Sequence, residues 1–132
     1  MTPTTKLRGS DRLRFLVIGL LLGEGGVHLQ QFESFLRSVP TINTLFLLNA
    51  IGAAMLALAL AASRDRVAIL VALGAVGMTV VGLASLAIAR ASVLFNYSEP
   101  TLRFPVLFAA LVELATVLVA SRFIAKRIRE LA

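Results

Sequence analysis

The chain has 132 residues, of which 58% are apolar and 15% charged, with a formal net charge of +6 and a mean hydropathy of +0.90. Soluble domains sit nearer half apolar and a quarter charged, which excludes a small water-soluble enzyme, and the absence of cysteine excludes a disulfide-stapled secreted module. The basic surplus is therefore read against a membrane, and no nucleic-acid partner is expected.

Crossing a hydrocarbon core of about 30 Å takes roughly 20 apolar residues in a helix. The chain has room for four such spans, predicted at residues 13–30, 42–62, 67–89 and 104–124. The first has the shortest uninterrupted apolar run, residues 15–23, and it follows the basic cluster Lys6, Arg8, Arg12 and Arg14. A secretory signal peptide also fits that pattern, but Gly23-Glu24-Gly25 is a poor small-x-small cleavage site, so a retained helix is expected. It would carry Glu24 and His28 inside the membrane. Residues 30–39 place Phe32, Phe35, Leu36 and Val39 at helical spacing, opposite Gln30, Glu33 and Arg37. That arrangement predicts a short interfacial helix between the first two spans.

The second span is uncharged and contains Asn49, the third is bounded by Asp65, Arg66 and Arg90, and the fourth contains Glu113. Basic residues favour the cytoplasmic side of a membrane. Ten of them (Lys6, Arg8, Arg12, Arg14, Arg64, Arg66, Arg122, Lys126, Arg127, Arg129) fall on one set of ends, against Arg37, Arg90 and Arg103 on the other. Both termini are therefore expected in the cytoplasm, in a multi-pass protein of the cell (plasma or inner) membrane. The segment 122–129 also suits anionic lipid headgroups. Phe32, Phe35, Phe46, Phe95, Tyr97, Phe104 and Phe108 gather at the opposite, outer edge. They fit either an interfacial aromatic belt or a structured cap over a site.

Helices in lipid associate through close backbone approach and polar contacts. Gly19, Gly23 and Gly26 offer one small-residue face on the first span. Ala109, Glu113, Thr116 and Ala120 form a small and polar face on the fourth that is expected to look into the bundle. The glycine and polar faces of the first span are nearly opposite, which suggests that it contacts neighbours on two sides, within one bundle or in a dimer.

Ionisable groups inside a membrane cost about 2.5 to 3.5 kcal/mol each on insertion scales, so their positions mark candidate sites. Glu24, His28, Asn49 and Glu113 form the candidate ligand-binding set. Glu24 and Glu113 lie roughly 10 to 14 Å below the outer boundary at 1.5 Å per residue, with Asn49 and His28 shallower. The other half holds little that is polar beyond Thr116 and Ser85, too little for a relay across the bilayer. Glu24, His28 and Glu113 could ligate a divalent metal such as zinc, iron or manganese. The alternative is that the polar set pairs internally, or with Arg90 or Arg103, and fixes the order of the helices.

In size, in its four expected crossings and in the glutamate of its first span, the chain resembles the small multidrug resistance exporters, a resemblance that implies proton-coupled or cation-coupled transport. It departs from them in its strong charge bias, its lack of tryptophan and its edge-loaded aromatics. No nucleophile motif, phosphate loop or paired metal signature is present in the sequence. The expectation is an all-α integral membrane protein, a four-helix bundle that is not an enzyme. It would serve as an accessory, scaffold or small-ligand-binding subunit, with the bilayer and a membrane-protein partner or second copy as its neighbours. No cofactor is assigned.

Overall fold

The computed structural model describes residues 9–34 and 36–132. Lys6, Arg8 and Phe35 of the patterns above lie outside the described residues. Four helices account for nearly all the rest: α1 (Gly9–Glu33), α2 (Pro40–Ala62), α3 (Asp65–Ala91) and α4 (Phe104–Leu131). All four are long and apolar enough to cross a membrane. Each extends past at least one end of its expected span, and α4 does so most, because its basic continuation stays helical to Leu131.

The breaks have local causes. The expected interfacial helix is replaced by a single 3₁₀ turn, Leu36–Ser38, because α1 runs on to Glu33 and consumes half the segment. Pro40 then opens α2 and takes Val39 out of helical geometry. Only Ser63 and Arg64 separate α2 from α3, both extended, and Asp65 starts α3 at φ 50°, a left-handed conformation that aspartate tolerates better than most residues. Pro105 occupies the first turn of α4, where its missing N–H costs nothing.

The two-residue α2–α3 turn, the start of α1 and the end of α4 lie at one end of the bundle, here the terminal end. The α1–α2 and α3–α4 connections lie at the other, the loop end. α1 packs between α2 and α4, and α4 packs on α3. α2 and α3 touch least of the neighbouring pairs, although they are joined by the shortest connection.

The core fills the terminal-end half. Val17 and Leu21 of α1, Ala57 and Leu60 of α2, Ala68, Ala72 and Ala75 of α3, and Ala120 and Phe123 of α4 form one buried cluster. Its alanines let the backbones approach, and Leu60 and Phe123 fill what remains. A polar clasp closes this end. Arg127 donates to Asp65 at 2.8 Å and to Glu130 at 3.2 Å, Ser10 donates to Glu130 at 2.5 Å, and Arg14 donates to the Ala61 carbonyl. The clasp joins all four helices.

The glycines of α1 divide differently from expectation. A side chain at Gly19 or Gly26 would meet nothing, and one at Gly23 would make an ordinary contact with Val112. The close approach is at Gly25, where a Cβ would stand 3.3 Å from both the Ala50 carbonyl oxygen and the Ala53 Cβ of α2.

Candidate functional site

The inward faces of the helices carry polar residues in the loop-end half. Glu24 and His28 are one turn apart on α1, and both are buried. They do not pair through their side chains. His28 Nδ1 lies 2.9 Å from the backbone carbonyl of Glu24, and since a carbonyl only accepts, that nitrogen carries a hydrogen and donates it. The other ring nitrogen, Nε2, faces Glu113 Oε1 of α4 at 3.5 Å, with Glu113 3% exposed. At that distance the two attract if the ring is protonated and the carboxyl ionised, but the contact is long for a hydrogen bond. The Phe46 ring of α2 packs against the imidazole, centroids 4.9 Å apart.

Glu24 turns the other way. Thr79 Oγ1 of α3 stands 3.1 Å from Glu24 Oε2 and 2.9 Å from the Ala75 carbonyl. One hydroxyl hydrogen serves one acceptor at a time, so only one of these contacts can be a full hydrogen bond donated by Thr79. Asn49 approaches the same carboxyl from α2. Glu24 Oε1 and Asn49 Oδ1 are both buried without a hydrogen-bond partner. Glu24 also lies close enough to Glu113 for the two carboxyls to act on one another electrostatically.

The structure thus brings the four expected residues into one region as two neighbouring sets, Glu24 with Thr79 and Asn49, and His28 with Glu113. The proposed metal ligands Glu24, His28 and Glu113 do not converge, because Glu24 is aimed at α2 and α3 while the imidazole is aimed at α4. Among the described residues, no three histidine, aspartate or glutamate side chains could hold a metal ion together.

Above these residues lies a cavity of about 590 Å³. His28, Asn49 and Glu113 form its polar floor, and its walls are mainly apolar side chains of α2 and α3. Gly82 of α3 makes room for the floor, since a Cβ there would sit 2.8 Å from Glu113 Oε1. The α3–α4 connection is its roof. Leu94 and Tyr97 bond each other reciprocally through their backbones at 2.7 and 2.9 Å, around a tight turn with Phe95 at φ 49° and Asn96 at φ 61°. Asparagine tolerates that conformation, whereas for phenylalanine it is strained.

Glu99 holds the roof in place and is 3% exposed. Its backbone N–H donates to the Ala89 carbonyl at 2.9 Å, and its own carbonyl accepts from Arg90 at 2.7 Å. Its carboxylate accepts from Arg103 at 2.8 and 3.3 Å and from the Tyr97 hydroxyl. Burial alone would push the Glu99 carboxyl up, but the bonds from Arg103 and Tyr97 and the charges of Arg103 and Arg90 outweigh it and hold it below its ordinary range. Burial, reinforced by the adjoining carboxylate, pushes Tyr97 up to about 12.

Arg90 and Arg103 both serve Glu99. Sequence reasoning passed over Glu99 and Thr79, and read Tyr97 only as one of the outer-edge aromatics. The signal available for the roof was the i, i+4 spacing of Glu99 and Arg103 beside Tyr97, in a segment whose prolines suggest a solvated loop.

The contact of His28 with Glu113 couples the two floor residues. His28→Leu and Glu113→Leu are each expected to destabilise the fold by about 3 kcal/mol, because each leaves a buried polar partner alone, whereas the double variant should cost no more than either single one. Unfolding the four proteins in micelles checks this, and additive losses would show that the two groups do not act as a pair.

No protein-family model, curated protein or solved structure matches the chain.

Proposed function

We propose that this chain is an integral membrane protein with both termini in the cytoplasm, and that it binds a small lipophilic molecule in its loop-end cavity without chemically transforming it. The cavity carries the reading. It has the size of a small-molecule site, apolar walls and a few convergent polar groups at one end. Membrane insertion is supported by the exposed faces of the helices, where large apolar residues such as Leu58, Leu70, Leu111 and Leu118 would otherwise meet water. In that setting the cavity lies in the outer half of the bilayer, and the protein serves as a ligand-binding or accessory subunit.

A proton-coupled or cation-coupled transporter fits less well. The polar side chains give way toward the terminal end to the packed cluster of Val17, Leu21, Leu60 and Phe123, which offers no relay.

Native mass spectrometry of the protein released from its own membrane tests the binding reading. The wild type is expected to retain a small molecule, and Val81→Trp, which places a bulky ring among the cavity-lining residues, is expected to lose it. Equal occupancy of both proteins would overturn the reading. Topology has a separate test, since the chain has no native cysteine. Ser98→Cys is expected to react with a membrane-impermeant maleimide on intact cells, and Ala132→Cys only after permeabilisation. The reverse pattern would invert the orientation.

A further inference from the structure

We propose that the cavity holds one acyl chain of a bilayer lipid, inserted sideways between α2 and α3 with its headgroup left outside. This rests on the reading of the cavity as a lipophilic site and names what fills it.

The wall between α2 and α3 is incomplete. Leu48 of α2 and Val81 of α3 both line the cavity, yet they are 58% and 65% exposed. Gly77, one turn from Val81, contributes no side chain to that wall, and a Cβ there would meet nothing. The two helices pack least of the neighbouring pairs. Toward the terminal end the gap is bridged by a flexible thioether, since Met78 Sδ lies 3.0 Å from where a Cβ on Gly52 of α2 would stand.

The depth of this opening decides what it meets. Eight residues separate Leu48 from Pro40 at the start of α2, and ten separate Val81 from Ala91 at the end of α3. At 1.5 Å per residue the opening lies about 12 to 15 Å below the loop end. With the loop end at the membrane surface, the headgroup layer takes up only about 5 to 8 Å of that distance. The opening therefore faces acyl chains.

Nothing inside the cavity selects a headgroup. His28 donates through Nδ1 to the Glu24 carbonyl and turns Nε2 to Glu113. Ser85 donates to the Val81 carbonyl, Gln31 to Gln30, and the Tyr97 hydroxyl to Glu99. Asn49 Oδ1 has no partner, but it has no open surface either. A polar or charged head drawn inside would have to displace these contacts or go unpaired in apolar surroundings, which is costly. A methylene chain does neither.

Volume and abundance then favour a lipid chain over other apolar molecules. Left unfilled, about 590 Å³ of space would forfeit the dispersion contacts of the apolar walls. At about 30 Å³ per non-hydrogen atom it holds on the order of 20 such atoms, as many as one long acyl chain contains. Acyl chains are the solvent at the opening, so by mass action they fill it ahead of any scarcer molecule of similar affinity.

The chain has no native tryptophan, so single-tryptophan variants report one position each. Phe46→Trp and Leu86→Trp place an indole among the cavity-lining residues, Leu70→Trp on the exposed face of α3, and Phe123→Trp in the packed core. Each full-length variant is reconstituted in vesicles of phosphatidylcholine, with or without bromine along the acyl chains, and acrylamide is added from the water. Both cavity probes are expected to lose as large a fraction of their emission to bromine as Leu70→Trp, with no loss to acrylamide, while Phe123→Trp keeps most of its emission. Adding Gly77→Leu to either probe builds a side chain into the opening and should reduce the bromine loss toward that of Phe123→Trp. A bromine loss no larger than that of Phe123→Trp, or one that Gly77→Leu leaves unchanged, would overturn the acyl chain. A small molecule retained in native mass spectrometry would then keep the cavity as a site for a different ligand. Quenching by acrylamide would show a water-filled cavity and overturn both the acyl chain and the lipophilic site.

Discussion

Gly25→Leu should cost about 3 kcal/mol or more in micelles, the upper range for forcing volume into a close-packed contact. The Cβ position of Gly25 faces the Ala50 carbonyl and the Ala53 Cβ. Neither can rotate out of the way, because one belongs to the backbone and the other is attached directly to it. Relief requires α1 and α2 to separate, which withdraws Glu24 from Asn49 and carries His28 away from Phe46. Stability and site should therefore fail together. Gly25→Ala should fall between the two. Gly19→Leu and Gly26→Leu serve as controls on the same helix, since an added Cβ there meets nothing. Thermal unfolding followed by helical circular dichroism checks the series. If Gly25→Leu melts with the controls, the α1–α2 contact does not hold the bundle.

Glu99→Ala should release the roof. Removing one member of a buried ion pair costs 3 to 5 kcal/mol in deep interiors, but Arg103 is 27% exposed and regains water, so about 2 kcal/mol is expected here. The loss should be local, seen as faster hydrogen exchange through residues 92–103 while α1 and α2 remain protected. The same residue gives the roof a pH range. The folded carboxyl lies below its reference value of 4.5, so its contribution is complete above that value and fades as the pH falls through the folded one. Tyr97 acts in the opposite sense. Its folded value is about 12 against a reference of 10.0, so its contribution is complete below 10.0 and is lost as the pH rises through 12. Protection of the roof amides, the exchange rate relative to that of an unfolded chain at the same pH, should be greatest between these limits, and Glu99→Gln should abolish the acid limb. An acid limb that persists in Glu99→Gln would place the titrating group elsewhere.

The four helices were legible because long apolar runs between charges admit few other structures. Glu113, Thr116 and Ala120 were legible as one face because they repeat at helical spacing on a single segment. The partners across helices were not. Helical spacing puts Glu24 and His28 on one side of α1, but which neighbour each faces depends on the rotation of α1 between α2 and α4. That rotation is set by the close contact at Gly25, whereas the GxxxG pattern draws attention to Gly19, Gly23 and Gly26. Glu99 was hidden for a different reason. It belongs to no periodic segment, and its burial comes from a turn that folds back onto the end of α3.

The alanine-packed terminal end and the sparse contact between α2 and α3 together make a lever. α2 is 23 residues long, about 35 Å at 1.5 Å per residue. With its foot fixed by a two-residue turn, a swing of about 5° moves its far end by about 3 Å, close to the width of a hydrocarbon chain's atoms. The Asn49 amide and the Phe46 ring would travel with it, away from Glu24 and His28. Parting α2 from α3 is therefore opposed by the close α1–α2 contact at Gly25, Ala50 and Ala53, and not by the turn at Ser63 and Arg64 alone.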